Sequence, residues 1–209
     1  MKFSELSDRA KEHAMYKYSE FMAELNDWWE YLHEDLLNDL SENYGIDDVK
    51  VEFSLAYVQG DHVTFIIDNE RLSDKLMQQA GYGSVKEFAE KLATKFGVNE
   101  DDVPELVDEL LDNSSIYGKV GMVNPDGLTV RLEGLYDTIV DLAEDDVDRD
   151  LVYEQIDQLD GAVNETLYDK AKEFYRQLRD TWEAETTEEA VEEAAEANGW
   201  EYDEDGDMI

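Results

Sequence analysis

Twenty residues, Val49 to Asp68 (VKVEFSLAYVQGDHVTFIID), constrain the fold of this chain more than any other stretch. β-Branched and aromatic residues dominate both arms, and Gln59-Gly60-Asp61 between them supplies the glycine of a tight turn, so the segment reads as a β-hairpin. In the first arm Val49, Val51, Phe53, Leu55 and Tyr57 alternate with Lys50, Glu52, Ser54 and Ala56, which places an apolar face on one side. Such a face has to be covered, and the flanking segments have the periodicity to cover it.

From Ser4 to Tyr44, Ala10, Ala14, Phe21, Leu25, Trp28, Leu32, Leu36 and Leu40 recur at three- or four-residue spacing with one gap of seven. This predicts two amphipathic helices or one bent helix, with Asn26-Asp27 placed to cap a second helix beginning at Trp28. The dense aromatics Tyr16, Tyr18, Phe21, Trp28, Trp29 and Tyr31 read as core packing, because a base-stacking platform needs basic neighbours that are scarce here. After the hairpin, Ser73 to Ala80 is a short helix ending at Gly81-Tyr82-Gly83. Ser84 with Glu87 makes a capping box for a helix with the stripe Val85, Phe88, Leu92 and Phe96, closed by Gly97. Asp102 before Val103-Pro104 opens another helix, with Leu106, Leu110 and Leu111 expected inward. Lys75, Lys86, Lys91 and Lys95 are expected to pair with acids at helical spacing.

Ser115 to Leu132 repeats the hairpin pattern around Asn124-Pro125-Asp126-Gly127, a sequence suited to a type I turn followed by a left-handed glycine. Two hairpins with helices on either side in sequence predict an α+β fold. Its core is a four-stranded antiparallel sheet covered by amphipathic helices, and residues 1–209 are expected to form one domain. Beyond it, Leu135, Ile139 and Leu142, then Leu167, Ala171, Phe174, Leu178 and Trp182, have helical spacing. Thr186 with Glu189 reads as a second capping box, Asn198-Gly199 as its stop, and burial of Ala190, Val191, Ala194 and Ala195 as what offsets like-charge pairs such as Glu188 and Glu192. Gly199 to Asp203, with Trp200 and Tyr202 alternating with acids, is patterned as an edge strand that could join the sheet.

Charge narrows function more than any motif. There are 55 acidic residues against 17 basic ones, a net of -38. Residues 134–209 hold 26 acids and 5 bases, and no base follows Arg179. Nucleic acid and anionic membranes repel such a chain, so direct binding to either is excluded as an expectation. At about one charge per 1.7 Å of duplex axis, 38 charges correspond to about 65 Å of DNA, so the charge density is duplex-like. With 42% hydrophobic and 11% aromatic residues the chain nevertheless has enough apolar surface to fold. A halophile's solvation coat discards lysine, whereas this chain keeps 11 Lys to 6 Arg. The absence of cysteine fits a reducing compartment, and no leader-like or membrane-spanning run is present, so a cytoplasmic protein is expected.

Leu6-Ser7 with Ala10-Lys11, then Trp28-Trp29, then Phe53 with Gln59-Gly60-Asp61 and Phe65, together resemble a widespread group of tailed-phage proteins of unassigned function. That group typically reads "LS…A…WW" and then "FSGFWSQGDGA.F". Phe174-Tyr175-Arg176-Gln177-Leu178 and Ala197-Asn198-Gly199-Trp200-Glu201-Tyr202-Asp203-Glu204-Asp205-Gly206 resemble its "IYRQLE" and "ANEYEFTEDG" endings. The resemblance covers most of the chain, thinly in the middle. It departs at His62-Val63, where Gly-Ala is usual, at Leu55-Ala56-Tyr57-Val58, and in acidity. It implies a phage origin and a shared fold, with no activity attached.

Tests for chemistry are negative. His13, His33 and His62 have no metal-ligand spacing and no nucleophile to complete a triad. Glu201 to Asp207 imitates the start of a calcium loop, but the chain ends at Ile209, before a position-12 glutamate. Asp146, Asp148 and Asp150 alternate similarly, but Leu151 stands in the glycine position. Nothing singles out a carboxylate pair for glycoside hydrolysis, and Gly81-Tyr82-Gly83 is not a phosphate loop. No enzyme activity, cofactor or metal is therefore expected. The composition is similar to that of phage anti-restriction proteins that imitate DNA. It points to an inhibitor whose carboxylates stand in for phosphates in the basic groove of a host DNA-binding or defence protein. The candidate contact residues are Glu188, Glu189, Glu192, Glu193, Glu196, Asp203, Asp205 and Asp207, with Asp145, Asp146, Asp148 and Asp150 second. The alternative is a phage accessory or antitoxin-like protein that binds a host protein through an exposed aromatic patch at Trp28, Trp29 or Trp200.

Overall fold

The structure, a computed structural model, describes residues 1–25, 28–55, 61–143 and 146–209. The expected cap at Asn26-Asp27, the outer part of the first hairpin from Ala56 through Gly60, and Asp145 lie outside these residues. Two compact units are present, one formed by Met1–Glu34 with Arg176–Ile209, the other by Asp35–Tyr175. The shift in composition near residue 134 does not mark this division.

The central unit contains the sheet. Strands β1 (Val49–Ser54), β2 (His62–Glu70), β3 (Ser114–Gly121) and β4 (Leu128–Leu132) are antiparallel and lie in the order β1-β2-β3-β4. This is the α+β class and the four-stranded sheet expected from the two hairpins. Period-two alternation is sharpest inside the sheet: Val63, Phe65 and Ile67 of β2, Ile116 and Val120 of β3, and Leu128, Val130 and Leu132 of β4 are buried. β1 is an edge strand whose apolar residues are only partly buried, so the stretch that dominates the sequence pattern forms a border of the sheet. The opposite face, with Lys50, Glu52, Thr64, Ile66, Tyr117, Lys119, Thr129 and Arg131, is partly or fully exposed.

The β3–β4 reversal holds the expected turn at Pro125-Asp126 and adds a second one before it: Gly121 and Asn124 exchange backbone hydrogen bonds of 3.0 Å each, so the chain also turns over Met122-Val123. Gly127 does not adopt positive φ. It is glycine because a Cβ there would lie 1.9 Å from the Lys119 carbonyl oxygen.

Helices surround the sheet in sequence. α1 (Asp8–Leu25) and α2 (Glu30–Asp39) precede it, and α2 starts after Trp28-Trp29 and runs into a π-turn at Leu40–Tyr44. α3 (Asp74–Gln79) is capped by Ser73. α4 (Val85–Phe96) shows the predicted Ser84/Glu87 capping box, the buried stripe Val85, Phe88, Leu92 and Phe96, and a left-handed Gly97. In α5 (Val103–Asp112) Leu106 and Leu110 are buried, but Leu111 is exposed. Of the four lysines expected to pair, Lys86 approaches Glu90 at 3.6 Å, whereas Lys75 and Lys91 donate to carbonyl oxygens of Ser41 and Tyr82.

α6 (Leu135–Leu142) and α7 (Arg149–Glu185) follow β4. α7 starts well before the Leu167 stripe seen in sequence, because Val152, Leu159 and Val163 extend the buried face and Gly161 sits in open space without breaking the helix. At β4 this helix replaces a missing strand neighbour. Asn164 Oδ1 accepts the Leu128 N–H at 2.9 Å, its Nδ2 donates to the Leu128 carbonyl at 3.1 Å, and Asp160 Oδ1 accepts the Val130 N–H at 2.6 Å. Two side chains one helical turn apart thereby satisfy alternate residues of the strand edge. No helix among the described residues is long and apolar enough to cross a membrane.

The terminal unit has its own core, in which Phe3, Leu6, Ala10, Ala14 and Tyr18 pack with Val191 and Ala195 of α8 (Glu188–Asn198) and with Tyr202. The buried stripe of α1 is Ala10, Ala14 and Tyr18, while Phe21 and Leu25 are exposed.

Candidate functional site

The first set of candidate acids lies wholly in the terminal unit. α8 is capped by Thr187, whose hydroxyl accepts the Ala190 N–H at 3.2 Å. Thr186 instead donates to the Trp182 carbonyl, so the capping box expected at Thr186 and Glu189 does not form, and a single side-chain cap from the next residue takes its place. Val191 and Ala195 face the core, and this fixes where the glutamates point. Glu189, Glu193 and Glu196 fall at positions i, i+4 and i+7 on the exposed side. None of the three has an ion pair among the described residues. Glu188 and Glu192 flank the buried face. Lys11 of α1 donates to Glu188 at 2.6 Å, and that hydrogen bond, with the charges of Glu188, Glu192 and Asp8, holds the ammonium above the ordinary lysine range. The repulsion expected between Glu188 and Glu192 is therefore relieved by a cation on α1 as well as by burial of Val191 and Ala195.

Asp203, Asp205 and Asp207 form a compact loop, and the edge strand expected there does not join the sheet. Residues 201–209 fold back on themselves through a bridge between Tyr202 and Met208, and Tyr202 exchanges backbone hydrogen bonds with Met1. Asp203 Oδ1 accepts the N–H groups of Asp205 and Asp207, at 3.0 Å each. Gly206 has φ 92°, and a Cβ on it would lie 2.2 Å from the Ala10 carbonyl oxygen. The resemblance to a calcium loop thus has local causes: the aspartate ties down amides, and the glycine permits contact with α1. Asp207 Oδ1 lies 2.9 Å from His13 Nε2 of α1. Ser7, Arg9 and His13 of the α1 region and Glu204, Asp205 and Asp207 line one shallow cleft. Among the described residues no group of three or more His, Asp or Glu side chains is arranged to hold a metal ion.

The second set lies in the central unit, where Asp146, Asp148 and Asp150 are exposed and Asp145 lies outside the described residues. Asp148 Oδ1 accepts the Asp150 N–H at 3.0 Å, and the Asp148 carbonyl accepts from Val152, so Asp148 starts α7. Acids at a helix N-terminus are favoured by its unpaired N–H groups and dipole. The set is therefore explained in large part as the beginning of a 37-residue helix.

At the place of the alternative reading, the indoles of Trp28, Trp29 and Trp200 each pack against another ring. Trp28 packs on Trp182 at 5.2 Å, Trp29 meets His33 edge-on, and Trp200 contacts Tyr18 and Phe21. All three indoles are half-buried. Tyr16 and Tyr31 are exposed instead.

Sequence reading passed over other acids of the same surface class. Glu183 and Glu185, at the end of α7, and Glu201 and Glu204 are also exposed. The terminal unit as a whole carries 21 acids and 6 bases in 68 residues, against 34 and 11 in the 141 of the central unit, so the terminal unit has the higher density of net negative charge. Compared with known families, curated proteins and solved structures, the chain gives no match.

Proposed function

We propose that the chain is an acidic inhibitor that imitates nucleic acid and occupies the basic groove of a DNA-binding or host-defence protein. A phage origin follows from the resemblance in its motifs. The observation that carries this reading is the stripe Glu189, Glu193 and Glu196 on α8. These carboxylates are exposed, about one helical turn apart, and without a cation of their own among the described residues. A partner's Lys and Arg side chains would meet them with charge-assisted contacts and release of counterions. Glu188, Glu192 and the Asp203–Asp207 loop border the stripe in sequence and are already engaged with α1 or with their own backbone, so they frame the surface.

The test is capture of partners from nuclease-treated bacterial lysate on the native chain, followed by elution in rising salt and competition with free duplex. A DNA-handling protein released by salt and displaced by duplex is the expected result. The same capture with Glu189→Lys, Glu193→Lys and Glu196→Lys combined should lose it. A partner that survives high salt, ignores duplex and binds the triple variant equally would overturn the reading.

A further inference from the structure

The two edges of the sheet are finished differently. At β4 the outward N–H groups of Leu128 and Val130 are taken by Asn164 and Asp160 of α7. At β1 the only strand neighbour among the described residues is β2, and the six pairs from Val49↔Ile67 to Ser54↔His62 run without a bulge. The strand contains no proline and no bulge, so among the devices that blunt an edge it keeps only its short length and the charged Lys50. Its inward residues Val49, Val51 and Phe53 are only partly buried, while their direct neighbours Ile67, Phe65 and Val63 are 1%, 0% and 0% exposed. That apolar face stops short at the border.

We propose that a second copy of this chain completes the edge. β1 of one molecule pairs antiparallel with β1 of another about a two-fold axis at Val51, joining two four-stranded sheets into one. The register follows from charge and from the pleat. With Val51 opposite itself, Lys50 stands opposite Glu52 of the second copy and Glu52 opposite its Lys50, while Val49 stands opposite Phe53. The side chains of Lys50 and Glu52 already meet at 2.6 Å within one strand on the exposed face, so the dimer would arrange four charges with alternating signs. Moving the axis to Lys50 or to Glu52 places like charges opposite each other. An axis between residues sets polar against apolar positions and breaks the continuity of the face. The lysine that would guard a solitary edge is, in this one register, a partner. Such self-complementarity is what an isologous two-fold contact requires.

Repulsion between two chains of net -38 opposes this contact and is screened by salt, so the dimer should strengthen as salt rises. This is the reverse of what is expected for a complex with a basic partner, and the two proposals fail separately. The test is sedimentation equilibrium of the full chain in 0.5 M NaCl (about 4 Å of screening length), with the native chain, Lys50→Glu, Glu52→Lys and an equal mixture of the two variants. The native chain should be dimeric. Each variant should associate at least about tenfold more weakly, because two cross-strand pairs change from attraction to repulsion. The mixture should recover a heterodimer, since the acidic strand of one variant then faces the basic strand of the other. That recovery separates pairing from misfolding. A native chain that stays monomeric up to about 1 mM, single variants that associate like the native chain, or a mixture that stays monomeric would each overturn the proposal.

Discussion

Replacing Asn164 by alanine tests whether α7 closes the β4 edge. Asn164 is 1% exposed, and its amide is the partner of both the N–H and the C=O of Leu128. In Asn164→Ala both backbone groups lose that partner in a buried setting, at about 1–3 kcal/mol each. The expected loss is therefore about 2–6 kcal/mol, a large part of the roughly 5–15 kcal/mol that holds a domain together. Urea unfolding followed by far-UV circular dichroism reports it. Tryptophan fluorescence serves as the internal comparison, since Trp28, Trp29, Trp182 and Trp200 all belong to the terminal unit. Asn164→Asp sharpens the test. Its carboxylate can accept the Leu128 N–H but cannot donate to the carbonyl until protonated, and burial raises its folded pKa above the unfolded value near 3.9. By linkage this variant should be most stable below about pH 4 and weaken as pH rises, whereas the alanine variant keeps a constant deficit. A loss under about 0.5 kcal/mol in Asn164→Ala, or an aspartate variant without that slope, would refute the account of the closed edge.

Three further outcomes are expected. Burial pushes the Asp160 carboxyl up despite the Val130 N–H that pulls it down, with Asp157 and Asp126 adding to the rise. Its ionisation therefore costs stability as pH rises through the folded pKa, and Asp160→Asn, which keeps an acceptor, should raise the urea midpoint at pH 7 and lose that advantage below pH 4. Asp39 is the opposite case: burial raises its pKa, but hydrogen bonds from Lys170 and Asn43 outweigh that and leave it lowered. It contributes above its unfolded pKa and loses that contribution as pH falls. Lys170→Met should thus cost about 1 kcal/mol at pH 7 and less at pH 3 in the same assay. Gly206→Ala meets both a positive φ and the Ala10 carbonyl, so the terminal unit should lose about 2 kcal/mol or more, read by tryptophan fluorescence.

What was legible in the sequence was local. The capping box at Ser84, the left-handed stops at Gly97 and Gly199 and the stripe of α4 each depend on residues a few positions apart, and the structure places them as read. Where neighbours offered two equivalent choices, sequence chose poorly. Tyr18 rather than Phe21 faces the α1 core because Val191, Ala195 and Tyr202 arrive from nearly 180 residues away, and nothing near α1 announces them. Thr187 rather than Thr186 caps α8, since Thr186 is held by the last turn of α7. The candidate acids were legible as a composition, but which of them are engaged depends on α1 supplying Lys11 and His13, a tertiary fact.

The same tertiary facts sort the acids by what they do. With 17 bases for 55 carboxylates, ion pairs alone cannot settle most of them, and backbone N–H groups serve as the other positive partner. Glu70 accepts from Asp47 and Asp48, Asp74 from Val85, Glu87 from Ser84, Asp148 from Asp150, and Asp203 from Asp205 and Asp207. Acids so used should be costly to replace for the fold, and reversing their charge tests folding before binding. Glu189, Glu193 and Glu196 have no such duty among the described residues. Reversing them should leave the urea midpoint unchanged or raised, because the net negative charge drops by six and Glu192 gains an opposite charge four residues on at position 196, while positions 189 and 193 stay alike in sign. The prediction is therefore a dissociation of two readouts. The triple lysine variant keeps or gains stability while losing its salt-sensitive partner, and Asp203→Lys loses stability first. If the triple variant instead unfolds, these glutamates belong to the fold, and the surface assigned to a partner has to be sought elsewhere.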